Sequence, residues 1–121
     1  MRYFLIVFVL LVGCAGSISA LDIEDRVWIE LGECMDVENF HLLEQPYIVI
    51  SDLPCGNPSF LACARSAENT VYVRPTYRND EVYEGVLRHE YTHIILYQTT
   101  GHADGSHETI WFIERPCWKR Y

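Results

Sequence analysis

From about Asp80 to Tyr97 or Gln98 the sequence reads as one helix with a wide apolar girth, and that width limits how the rest of the chain can fold. Leu87, Tyr91, Ile94 and Ile95 recur at the three- and four-residue spacing of a single helical face, suited to packing on a sheet. Val82, Val86, His89, Glu90, His93 and Tyr97 fall on the neighbouring face. A helix apolar on more than half its circumference has to be covered by protein on two sides. Within it, His89-Glu90-Tyr91-Thr92-His93 sets two histidines four residues apart, so both imidazoles point to one side. Burying them without partners costs about 1–3 kcal/mol per unsatisfied group, a cost that a metal ion removes. Two neutral imidazoles at this spacing can fill two of the four positions around a tetrahedral Zn2+. Glu90 falls beside the open position, where it can act as general base toward water.

Upstream, Ile23, Val27, Trp28, Leu31 and Cys34 trace the face of an earlier helix over 22–35, with Asp22 as its N-cap and Glu24 and Asp25 suiting the helix dipole. Pro46-Tyr47-Ile48-Val49-Ile50-Ser51 is β-branched and aromatic and reads as a buried strand. Thr70-Val71-Tyr72-Val73-Arg74 alternates and reads as a second strand pairing antiparallel with the first, ended by Pro75. Gly101 to Gly105 breaks the long helix, and Ser106 can cap a last one carrying Ile110, Trp111 and Ile113. The expected class is α+β: a small antiparallel sheet, the histidine-bearing helix and flanking helices in one domain over 22–121.

The first residues read differently. Met1-Arg2 precedes an apolar run from Tyr3 to Val12, too short to span a bilayer but with the length of an export signal. Leu11-Val12-Gly13-Cys14 resembles the lipobox of bacterial lipoproteins. That resemblance implies a signal over 1–13, lipidation of Cys14 and a short tether over 14–21. The protein is then anchored in the bacterial cell envelope, and Ala15 after the cysteine fits an outer-membrane destination. Cleavage after Ala20 is the competing reading, which leaves the protein secreted. Export makes disulfides the expectation for Cys34, Cys55, Cys63 and Cys117, none of which forms a CxxC pair. The favoured pairing closes the short loop Cys55–Cys63 and ties Cys34 to Cys117. A formal net charge of −8 makes nucleic acid a poor partner and argues against attachment through basic patches.

Two histidines need a third ligand. Thr99 stands where a metzincin has its third histidine, which excludes that family. Glu114 sits at a distance tolerable for a gluzincin but lacks the flanking Asn-Glu motif. Asp104 lacks the threonine of an aspzincin turn. His107, fourteen residues beyond His93 after a glycine-containing turn, fits best, and His102 keeps a weaker claim. The segment Asp104-Gly105-Ser106-His107-Glu108-Thr109-Ile110-Trp111 resembles the third-ligand segment of SprT-like metalloproteases, with Trp111 in the aromatic place and Glu108 replacing the usual glycine. The order helix, strand, strand, motif helix is similar too, and the likeness is clearest over 70–111. It implies a zincin-like metallopeptidase with His89, His93 and His107 as zinc ligands and Glu90 as the catalytic base. The DNA-linked role of that family does not carry over to an acidic chain with export features. Its substrate is then a peptide or protein, laid along the strand 70–74. The alternatives are a lipid-anchored zinc-binding protein without turnover and a disulfide-stabilised interaction domain.

Overall fold

The computed structural model describes residues 22–75 and 81–114 together with Cys117. The expected signal 1–13, Cys14 and the tether lie outside the described residues. Helix α1 (Ile23–Cys34) starts where Asp22, in extended backbone, accepts a hydrogen bond from the Asp25 N–H at 3.1 Å. That satisfies one of the orphan donors at a helix start. Val27, Trp28 and Leu31 are buried on its inner face. Gly32 extends this face, because a Cβ there would stand 2.4 Å from the Phe40 ring. Phe40 thereby reaches Trp28, with ring centroids 5.2 Å apart, and folds the segment after α1 back onto it.

The long helix α2 (Glu81–Thr100) buries Tyr83, Leu87, Tyr91, Ile94 and Ile95 completely, as its first apolar face requires. Tyr91 meets Trp28 of α1 edge-on, with centroids 5.4 Å apart. A charged network also joins the two helices. Arg88 of α2, 1% exposed, pairs with Glu30 of α1 and lies 4.0 Å from Glu84. Burial pushes the Glu30 carboxyl upward, but the guanidiniums of Arg88 and Arg26 outweigh it and hold it below the usual range. The second face of α2 is less covered than its composition predicts. Val82 and Tyr97, near its two ends, are 43% and 38% exposed.

The sheet is three-stranded and mixed, in the order β1 (Tyr47–Ile50), β3 (Thr70–Val73), β2 (Ala62–Arg65). This corrects the expected antiparallel pair in two ways. Strand β1 runs parallel to β3, and a third strand, β2, forms an antiparallel hairpin with β3 through Ser66–Asn69. A parallel pair needs a long crossover; here the whole stretch between β1 and β3 supplies it, with β2 inside. Ala-Cys-Ala-Arg has weak strand propensity and owes its conformation to pairing with β3. Thr70–Val73 is therefore central and offers no free edge to a peptide. Strand β1 is an edge, not a buried strand: Tyr47 is 74% exposed and only Ile48 packs against the core. On the face toward the core, Ile48 and Ile50 of β1, Val71 and Val73 of β3, and Ala64 and Ala62 of β2 stand in two cross-strand rows.

Disulfides join Cys34 to Cys117 and Cys55 to Cys63, the pairing favoured from the sequence. The first fastens the end of α1 to the chain beyond the short helix α3 (Ile110–Ile113). Among the described residues no helix is long and apolar enough to cross a membrane.

Candidate metal centre

His89 and His93 stand one turn apart on α2, and the loop after that helix brings His107 to meet them. The Nε2 of His107 lies 3.1 Å from that of His93 and 3.2 Å from that of His89. For a tetrahedral ion with metal–nitrogen bonds of about 2.0–2.1 Å, the edge between two ligand nitrogens is roughly 3.3–3.4 Å. The spacing is close to that edge, so the three rings lie near enough to one another to hold a common ion. His93 supplies a further observation. Its Nδ1 lies 2.6 Å from the Ala103 carbonyl, which can only accept, so Nδ1 carries the proton and Nε2 of the neutral ring presents its lone pair. A carbonyl partner on the far nitrogen is the usual device for fixing the tautomer of a metal-binding histidine. Burial lowers the pKa of His89 to about 4, with the charges of His93 and His107 adding to the effect. Burial lowers His93 as well. Neutral rings are what a metal needs, and among the described residues these three histidines form the one cluster close enough to hold an ion.

The loop that carries His107 is held from beneath. Asp104 is 3% exposed, and its two carboxylate oxygens accept the N–H groups of Glu108 and Thr109, each at 2.9 Å. Its own carbonyl accepts the His107 N–H at 3.0 Å. Burial raises the Asp104 carboxyl, but those two amides outweigh it and the pKa falls below the usual value. Asp104 and His107 both adopt left-handed backbone, φ 56° and 59°, which turns the chain sharply enough to aim the ring back at α2. His107 thus lies in a capped loop, not at the start of a helix as its sequence setting predicts. The helix that follows is the single turn α3, whose N-cap is Thr109 rather than the expected Ser106; Asp104 instead ties together the loop ahead of it.

Phe112 of α3 forms the floor of the site. Its ring centroid is 5.2, 4.7 and 4.7 Å from those of His89, His93 and His107. The neighbouring Trp111, singled out in the sequence, faces a different groove lined by Met35, Leu43 and Ile95. His102 and Glu114 are outside the cluster. The His102 Nδ1 accepts the Asp104 N–H at 3.1 Å, and the exposed Glu114 ends α3.

Glu90 stands at the side of a cavity of about 360 Å³ that also contains His89, His93 and His107. The opposite wall is β2. Arg74 donates its N–H to the Leu61 carbonyl at 3.1 Å, which fixes the hairpin so that the amides of Ala62 and Ala64 point away from β3. The Ala64 N–H donates to Oε2 of Glu90 at 2.8 Å. Burial raises the Glu90 carboxyl to about 7, against the lowering effect of that one amide. A carboxyl poised there can take and return a proton near neutral pH. Asp104, Phe112 and the Ala64 amide are contributions that the sequence reading missed. Only Asp104 left a trace in the sequence, as a capping-type residue shortly before the last helix. No family model matches this chain, and no curated protein or solved structure matches it either.

Proposed function

We propose that the protein is a zinc-dependent peptidase of the HExxH type, on a small zincin-like fold with a SprT-like third histidine. The observation that carries this reading is the triangle of three Nε2 atoms with a proton-poised Glu90 on the same helix turn. A set of three imidazoles without a carboxylate suits zinc and disfavours magnesium or calcium. When bound, zinc would supply a Lewis acid that polarises a scissile carbonyl and lowers the pKa of water.

The residues of the chain do the rest. His93 is locked in the correct tautomer by Ala103, and His107 is held by the Asp104-capped loop. The Ala64 amide keeps Glu90 on the wall of the cleft, where it takes a proton from the attacking water and later passes it to the leaving amine. The outward amide of Ala62 and its neighbouring carbonyls offer an extended peptide a strand to pair with, a role that moves from β3 to β2. Export to a bacterial envelope through lipid on Cys14 belongs to the same proposal. Its support is the lipobox-like sequence, and two disulfides agree with an oxidising compartment.

One observation favours a second reading, metal binding without turnover: Glu90 already has a structural partner in Ala64. The two readings separate on Glu90→Gln. The peptidase reading expects the zinc-loaded wild type to cleave members of a broad peptide library in a chelator-sensitive way. Glu90→Gln should bind zinc equally and cleave at least 100-fold more slowly. Cleavage by neither protein would leave the binding reading in its place, and equal cleavage by both would refute Glu90 as the base.

A further inference from the structure

The wall that faces the three histidines changes size across the sheet. On the face toward the core, β3 carries Val71 and Val73, both fully buried, and β1 carries Ile48 and Ile50. In the same two cross-strand rows β2 carries only Ala64 and Ala62. The bulk is missing from the one strand that lines the cavity, and both alanines border the open space directly. At the mouth of the same cavity stands Phe60, 43% exposed, followed by Leu61 at 41%. Exposed apolar area beside a concave site is the usual mark of a surface that is covered by ligand. Among the described residues that line the cavity, Glu90 is the single carboxylate and none is Lys or Arg. Among those described residues an ammonium would find only the Glu90 carboxylate, which already accepts from the Ala64 N–H.

From this wall we infer the substrate class: an extended peptide with a large apolar side chain, such as leucine or phenylalanine, beside the bond at the metal. That side chain fills the space left by Ala62 and Ala64 and lies against the Phe60 ring. The inference rests on the peptidase reading for the word substrate, but the shape and chemistry of the pocket do not depend on turnover.

The test uses binding first and cleavage second. Two dipeptide hydroxamates that differ only in a leucine or a serine side chain would be titrated calorimetrically into the zinc-loaded protein. A third, bearing lysine, completes the set. The leucine probe is expected to bind at least tenfold more tightly than either of the others, the usual discrimination of an apolar pocket. Phe60→Ala should reduce that preference about three- to tenfold, Phe60→Tyr should retain it, and zinc stoichiometry should stay the same in both variants. Equal binding of leucine and serine probes, or tighter binding of the lysine probe, would overturn the inference. So would a preference that Phe60→Ala leaves untouched. Cleavage sites mapped by mass spectrometry in the peptide library then separate the two claims. A leucine preference in binding with no cleavage at all would sink the peptidase reading and leave an apolar ligand site. Cleavage without any apolar preference would sink this inference and leave the peptidase.

Discussion

Asp104→Ala tests whether the third ligand is held by its loop or simply carried on it. The substitution removes the acceptors for the Glu108 and Thr109 amides, each 2.9 Å from a carboxylate oxygen that is almost completely buried. A hydrogen bond to a charged group contributes about 1.5–3 kcal/mol when both partners are protected. Glu108 is exposed and Thr109 half-buried, so water can replace part of the loss. A helix N-cap aspartate, which likewise accepts from backbone amides, typically costs about 0.5–2 kcal/mol to lose and sets the scale for this loop. Taken together, about 1.5–3 kcal/mol is expected to disappear from the closed form of the loop. If that ordering is needed to bring His107 to the other two rings, zinc affinity falls roughly 10–100-fold, at 1.4 kcal/mol per tenfold. That matches the usual effect of removing a group that orients a ligand. Asp104→Asn keeps one acceptor and should fall between wild type and Asp104→Ala. The assay is competition for zinc with a chromophoric chelator, run beside urea unfolding of the metal-free proteins to separate a local effect from loss of the fold. Cobalt absorption in the substituted site would report the number of histidines bound. Zinc affinity of Asp104→Ala within twofold of wild type, with an unchanged cobalt spectrum, would refute the reasoning.

Other expectations follow from the same geometry. His107→Ala should lose zinc affinity sharply, whereas His102→Ala and Glu114→Ala should retain it; the same chelator competition decides, and loss in Glu114→Ala alone would mean a different third ligand. In the metal-free protein Glu90 has its pKa raised from 4.5 to about 7, so the folded state holds the proton more tightly than the unfolded chain does. Its contribution is therefore favourable at low pH and is lost as pH rises through about 7. Glu90→Gln should accordingly gain on wild type by about 1–3 kcal/mol between pH 4.5 and 8, after allowing for solvent in the cleft. Urea melts at the two pH values in chelator would show it, His89 and His93 being common to both proteins, and a pH-independent difference would count against it. Arg88→Ala removes a buried guanidinium from Glu30 and Glu84, which keep Arg26, and should cost about 1.5–3 kcal/mol, while Arg88→Met should recover much of that; chemical denaturation of both variants is the check.

The helices and the ligand spacing were legible in the chain because both are local. The apolar period of 23–34, its Asp22 cap and the four-residue step from His89 to His93 depend on helix geometry alone, and the structure has them as the sequence reads. Cysteine count and spacing likewise narrowed the disulfides, since a short loop between Cys55 and Cys63 needs little chain to close. The parts that failed or stayed hidden mostly depend on contacts between distant residues. Ala62–Arg65 has no strand signal of its own and becomes β2 because β3 offers it a ladder. Once it does, β3 turns from an edge into the centre and β1 takes the other side, where it runs parallel. The Ala64 amide lies 26 residues from Glu90 and the Phe112 ring 19 and 23 from His93 and His89, whereas the Asp104 bonds span only 4 and 5 residues and stayed hidden because they need a left-handed turn that apolar periodicity does not mark. Sequence alone thus determined which side chains could hold a metal, through the fixed pitch of one helix. Only tertiary packing decided what surrounds them, because the desolvation of Glu90, the aim of His107 and the small wall of β2 exist only once separate elements meet.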